Sequence, residues 1–344
     1  MTAPVLRRRW SGRQIKDTLT DTAIYIILLA LLVAIIIISP DFVSPINARN
    51  ILAQASTRVI IALGVAGILI TAGTDLSAGR LVGLTAVVSA SLLQATEYAY
   101  RMYPDLTRLP VILPVLVCVA IGALFGLLNG IAAAVFKVPP FVATLGMMVI
   151  VYGLTSIYFD RPPYGAQPIG GLDPAFMRYG QGYIFGGNLA VPYLVIYAAI
   201  ASVLMWVIWN KTRLGKNMYA IGGNTDAAVV SGVNVVRTLL AIYALAGALY
   251  GFAGTLEAAR IGSATNNTGN MYELDAIAAA VVGGVSLSGG VGTVPGVVTG
   301  VLIFQVINYG LNFIGVNPYV QYIVKGLIIV AAVAIDMRKY VKTK

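Results

Sequence analysis

Apolar runs of about twenty residues, separated by short polar stretches, set the pattern of this chain. Runs of that length suit a hydrocarbon core about 30 Å thick. The first covers residues 22–39, and after the turn Pro40–Asn50 a second reaches residue 96. As one helix that second run would be roughly 70 Å long, so the pattern predicts two passes. The break falls at Gly73-Thr74-Asp75-Leu76-Ser77-Ala78-Gly79-Arg80, its polar and glycine-rich part. Spans are predicted at 110–136, 140–159, 190–209 and 238–257. The uncharged run 276–313 is again too long for one helix, and its break is Gly283-Gly284-Val285-Ser286-Leu287-Ser288-Gly289-Gly290. A last span covers 319–336. The prediction is an all-α polytopic membrane protein with about ten transmembrane helices and two broken segments.

The two breaks share a spacing. Gly73-x-x-Leu76-Ser77-x-Gly79 matches Gly284-x-x-Leu287-Ser288-x-Gly290, one in each half of the chain. Paired interruptions of over-long apolar runs are the sequence trace of repeats with broken helices. Two other glycine series, Gly122-x-x-x-Gly126-x-x-x-Gly130 and Gly292-x-x-x-Gly296-x-x-x-Gly300, predict close helix packing.

Composition agrees with a membrane protein: 344 residues, 58% hydrophobic and 10% charged, with mean hydropathy +0.85. The net charge of +10 does not form a nucleic-acid surface, because the basic residues flank apolar runs. With both termini cytoplasmic, Arg7, Arg8, Arg9, Lys211, Arg213, Lys216, Arg237 and Arg338 fall in inner segments. That is the positive-inside bias. It makes 1–21 and 337–344 cytoplasmic tails, 22–336 one membrane domain, and 210–237 a cytoplasmic loop. The linkers 160–189 and 258–275 face outward. The basic, Trp-bearing lead before residue 22 has no cleavage site after a short apolar core, so it reads as an uncleaved tail.

The chain contains no histidine, a single cysteine (Cys118, read as buried packing) and no Gly-x-x-x-x-Gly-Lys-Ser/Thr stretch. No catalytic residue, metal site or cofactor is assigned.

The polar island Lys211–Asn234 stands apart. A Gly222-Gly223 turn leads to Asn224 or Thr225, which would cap a short helix with Asp226 in its first turn, and Gly232 would end it. Asp226-Ala227-Ala228-x-x-x-Gly232 resembles the Glu-Ala-Ala-x-x-x-Gly loop of permease subunits in bacterial ABC importers, with Asp in place of Glu. Collinear stretches at 58–84, 138–153, 210–235, 257–300 and 308–330 extend the resemblance over nearly the whole chain. It is to monosaccharide importers of the ribose/arabinose/galactose type, and within them to the galactose/methyl-galactoside branch.

That resemblance implies an inner-membrane homodimer around one pathway for a monosaccharide. A periplasmic sugar-binding protein would deliver the sugar, and a separate cytoplasmic ABC ATPase would bind ATP and Mg. Gly223, Asn224, Asp226, Ala227, Ala228 and Gly232 would then couple the permease to the ATPase. Gly73, Asp75, Ser77, Gly79, Arg80, Gly284, Ser286, Ser288 and Gly290 would form the broken helices of the pathway. The alternative is an ion-coupled secondary sugar transporter, which needs buried carboxylates. Asp75 is the one acid clearly inside an apolar region.

Among the ionisable and hydroxyl groups, two readings stand for Asp75 and Arg80: a pathway gate, or a mutually paired brace. Ser77, Ser286 and Ser288 either meet sugar or cap half-helices, capping being the simpler. Arg58 and Lys325 are expected to snorkel to an interface. Glu273 and Asp275 are expected to favour the dipole at the start of a helix.

Overall fold

The computed structural model describes residues 28–161, 165–187 and 190–341, with the backbone alone for 332 and 335–341. The tail 1–21 lies outside the described residues. Among the described residues, helices occupy the predicted runs: α1 Leu28–Ile38, α2 Pro45–Ile70, α3 Ala78–Leu92, α4 Ile112–Ala134, α5 Pro140–Phe159, α7 Tyr193–Lys211, α10 Val235–Ile261, α11 Tyr272–Val282, α12 Val294–Phe313 and α13 Pro318–Val341. Three more lie between them: α6 Pro174–Gln181, α8 Arg213–Gly223 and α9 Thr225–Val230. Among the described residues, strands are confined to β1 Tyr183–Ile184 and β2 Val191–Pro192, paired antiparallel.

Of the described helices, α2, α4, α5, α7, α10 and α12 are long and apolar enough to cross a bilayer. The helices α3 and α11 are shorter because the chain spends residues on irregular backbone. After α2 it leaves the helix over 71–77, so α3 has 15 residues. After α11, which has 11 residues, it does so over 283–293.

The chain divides into two compact units. In the larger, Val43–Val306, α10 is the central helix and packs on α4, α3 and α2. The α4–α10 contact follows the predicted glycine series. A Cβ at Gly122 would overlap the Gly247 carbonyl oxygen, and one at Gly126 the carbonyl of Tyr243. Close backbone approach replaces side-chain interdigitation there. The second series behaves alike, since a Cβ at Gly296 or Gly300 would overlap the carbonyl of Gly283 or Ala279. Cys118 is buried on α4 and its thiol donates to the Thr85 carbonyl.

Outside the spans, α6 is capped by Asp173, which accepts from Ala175 N–H at 2.8 Å and meets Arg108 at 2.7 Å. Burial alone would raise this carboxyl. The Arg108 guanidinium and the Ala175 amide outweigh burial and hold it below its ordinary range. In the smaller unit, which holds the chain up to Phe42 and from Ile307 onward, Phe42 packs between Tyr309 and Phe313.

Candidate coupling segment and broken helices

The predicted short helix forms as α9, closed at both ends by local chemistry. Asn224 caps it, its Oδ1 accepting from Ala227 N–H at 2.9 Å. Asp226 stands in the first turn, where the helix dipole favours an anion. Gly232 adopts φ +82. Its N–H reaches Val229 O at 2.9 Å, and the next, Val233 N–H, reaches Ala228 O at 3.0 Å. These two bonds are the Schellman pattern, which needs a left-handed residue. Asn234 then caps α10 through Arg237 N–H.

Ala228 is buried, while Val229 and Val230 are exposed, Val230 at 89%. Sequence reasoning passed over these two valines, although apolar side chains in a polar loop were the available signal. The preceding α8 also went unpredicted. Thr212 caps it by accepting from Gly215 N–H, a Thr-x-x-Gly spacing too common to single out.

The first break opens with the same Schellman pattern. Ala72 N–H donates to Leu69 O at 2.8 Å and Gly73 N–H to Ile68 O at 3.1 Å, and Ala72, though not glycine, stands at φ +60. Asp75 follows, 1% exposed. Its Oδ1 accepts from Ser77 N–H at 2.9 Å and from Ser77 Oγ at 2.6 Å. Asn129 of α4 donates to the same Ser77 hydroxyl at 2.8 Å, and Thr144 of α5 accepts from Leu76 N–H at 3.1 Å.

Two expectations are thereby corrected. Ser77 occupies the N-cap position of α3 but makes no cap bond, because its hydroxyl is taken by Asp75 and Asn129. Asp75 and Arg80 are not a pair. Arg80 instead donates to Asn270 at 2.7 Å and lies over the Tyr152 ring.

The second break repeats this construction. Gly284, at φ +86, donates to Val281 O, and Val285 N–H donates to Ala280 O. Ser286, in the place matching Asp75, accepts from Ser288 N–H at 3.1 Å, as Asp75 does from Ser77. The motifs diverge at their ends. Gly79 is the second residue of α3, whereas Gly290 is still irregular at φ +72. The breaks also touch, Gly290 N–H donating to Ile70 O at 2.8 Å. The coupling segment touches the second of them, since Tyr219 of α8 donates to Gly292 O at 2.8 Å.

Buried acids are more numerous than the sequence suggested. Glu257, fully buried on α10, accepts from Thr57 at 3.0 Å, from Tyr272 at 2.7 Å and from Arg260 at 2.8 Å. The predicted span ended at Glu257, whereas α10 runs through Ile261; the four extra residues place this carboxylate inside the helix. The Arg58 guanidinium sits 3.0 Å above the Tyr272 ring centre, a cation–π arrangement beside Glu257. Glu273 and Asp275 lie in the first turn of α11 as expected, and Glu273 is buried. Among the described residues no cluster of side chains could hold a metal ion.

A family model described as the permease component of branched-chain amino acid transport systems matches residues 47–333. The chain belongs to this permease family. Among its relatives, the galactose/methyl galactoside import permease of Salmonella typhimurium is 59% identical over 326 residues, 95% of this chain and 96% of that one. Its counterpart in Escherichia coli is 58% identical, with the same coverage. The ribose import permease of Bacillus subtilis is 39% identical over 312 residues, 91% of each chain. No solved structure matches. The permease is thus a mostly helical membrane transport subunit, of a family defined by transport and not by covalent catalysis.

Proposed function

We propose that this permease forms the translocation pathway of an ATP-driven importer for galactose and methyl galactosides. The observation that carries the sugar assignment is identity of 58–59% across 95% of the chain to permeases of that name. Identity to ribose permeases is 38–39%.

In this reading two copies enclose one pathway in the bacterial inner membrane. A periplasmic sugar-binding protein delivers substrate, and a cytoplasmic ABC ATPase holds ATP and Mg, so the permease carries no cofactor. About ten crossings with both termini cytoplasmic place Lys211–Asn234 inside. The support is the basic content of the inner segments, the six helices long and apolar enough to cross a bilayer and the three shorter apolar ones.

The coupling role of α9 rests on its geometry. Asn224 and Gly232 fix both ends, Ala228 anchors it, and Val229 and Val230 face outward, an apolar knob that a cleft on the ATPase would cover. Closure of the ATPase on ATP displaces this knob, and the broken segments, where Asp75, Ser77, Ser286 and Ser288 interrupt the helices, rearrange to admit sugar.

The test is reconstitution of the permease in proteoliposomes with its ATPase and binding protein, beside each component alone and a Gly232→Asp variant. Uptake of galactose, with sugar-dependent ATP hydrolysis, is expected only with all three components. The variant is expected to lose both, because a side chain at φ +82 distorts the end of α9. Sugar movement by the permease alone on an ion gradient would overturn the reading in favour of a secondary carrier. Preferential uptake of ribose would overturn the sugar assignment alone.

A further inference from the structure

Three backbone segments meet at one point in the larger unit, and all three do so through glycine or through main-chain groups. Gly222 is the penultimate residue of α8, two residues before the cap of α9. The Ile70 carbonyl oxygen occupies the space where a Cβ of Gly222 would stand, and Gly290 N is 2.5 Å from that position. The same Ile70 carbonyl accepts from Gly290 N–H at 2.8 Å. A Cβ at Gly289, which stands at φ +87, would lie 2.8 Å from Gly222 O and 2.9 Å from Ala72 Cβ. One turn earlier on α8, Tyr219 donates to Gly292 O at 2.8 Å.

The joint between α8 and α9 is equally direct. Asn224 N–H donates to Ala220 O at 3.0 Å, ending α8, while its side chain caps α9 at 2.9 Å. Thr225 Oγ1 reaches back to Ile221 O at 3.0 Å. One residue therefore ends one helix and begins the next.

We infer that Gly222 and Tyr219 are positioning residues that lock the coupling segment to both broken helices, so that α8, α9, residues 70–73 and residues 289–292 move as one body. The inference rests on the importer reading, in which the ATPase acts on α9. The physical reason is the absence of a soft layer. Side chains between helices can change rotamer and absorb a displacement of an ångström or so, whereas backbone in direct contact with backbone transmits it. A methyl group at Gly222 would have to push the end of α2 away from α8, opening the junction without touching α9 itself.

Two measurements on the reconstituted complex test this. The first is galactose uptake per ATP hydrolysed, with the wild type as the reference. Gly222→Ala is expected to lower uptake about tenfold, within the usual range of coupling factors, while sugar-dependent hydrolysis stays within about twofold. Tyr219→Phe is expected to lower uptake by a smaller factor, roughly threefold. Gly153→Ala, at a helical glycine of α5 with nothing within 4 Å of an added Cβ, should change neither.

The second measurement is the distance between spin labels at Lys216 and Val291, both exposed, with Cys118 replaced by serine. Nucleotide-free and vanadate-trapped complexes should give the same distance to within about 2 Å, the scale of small helix shifts. The distance distribution should broaden in Gly222→Ala. A wild-type change well beyond that scale, or Gly222→Ala and Tyr219→Phe both matching Gly153→Ala, overturns the inference even where Gly222→Ala folds poorly. A wild-type complex that shows no sugar-dependent hydrolysis sinks the importer reading, and this inference with it.

Discussion

The breaks at 71–77 and 283–293 share a construction yet are held by different means. Each begins with a Schellman turn, at Ala72 and at Gly284. Each then bends through a side chain that accepts from the amide two residues on, Asp75 for Ser77 and Ser286 for Ser288. The first is held by side chains. Its carboxylate collects two bonds from Ser77, while Asn129 and Thr144 reach in from α4 and α5. The second also meets its neighbours through the main chain, at Gly290 and Gly292. The difference teaches that one turn geometry can serve as a fixed polar anchor or as a contact surface, depending on whether a carboxyl group or glycines follow the turn.

The largest expected effect tests the anchor. Asp75→Ala removes the acceptor shared by two buried donors of Ser77, and leaving such donors unpaired costs on the order of 1–3 kcal/mol each. Loss of about 3 kcal/mol of stability is expected in denaturant titration of the purified permease. Ser286→Ala removes the acceptor of Ser288 N–H and should cost about 1 kcal/mol. Equal losses at the two sites would erase the contrast between the breaks. Asp75→Asn, which keeps an acceptor for Ser77, should recover most of the loss.

Much of this is legible in the sequence. Runs of apolar residues located the long helices, and excess length located both breaks, since a run too long for one pass must turn. The matching Gly-x-x-Leu-Ser-x-Gly spacing was visible because turn chemistry is local. Asn224, Asp226 and Gly232 could likewise be placed, as caps and left-handed ends depend on a few adjacent residues. What could not be read was long-range. Nothing local says that Ser77 gives its hydroxyl to Asp75 and Asn129 instead of capping α3, or that Arg80 meets Asn270 and Tyr152 instead of Asp75. Glu257 was missed because a carboxylate at the end of an apolar run looks exposed until Thr57, Tyr272 and Arg260 are found around it.

A smaller effect separates the two turns themselves. Gly284 stands at φ +86 with nothing within 4 Å of an added Cβ, so Gly284→Ala has only a conformational cost, about 1 kcal/mol for an L residue held left-handed. A loss well above that would mean that packing, and not conformation, selects glycine at the second break.

The matching change in the first break has the opposite sense and the least effect. Ala72 already bears the cost of a positive φ, so Ala72→Gly relieves about 1 kcal/mol of strain in the folded state. Glycine also gains freedom in the unfolded chain, worth about 0.4–1 kcal/mol, and the two terms oppose each other. The net change in stability should therefore lie within about 0.5 kcal/mol of zero, measured in the same titration. A loss of about 1 kcal/mol or more, beyond what unfolded-state freedom explains, would mean that the Ala72 methyl contributes through packing. The first break would then be held by more than its carboxylate, and the contact of Ala72 with the Gly289 backbone would belong to the anchor as much as to the junction.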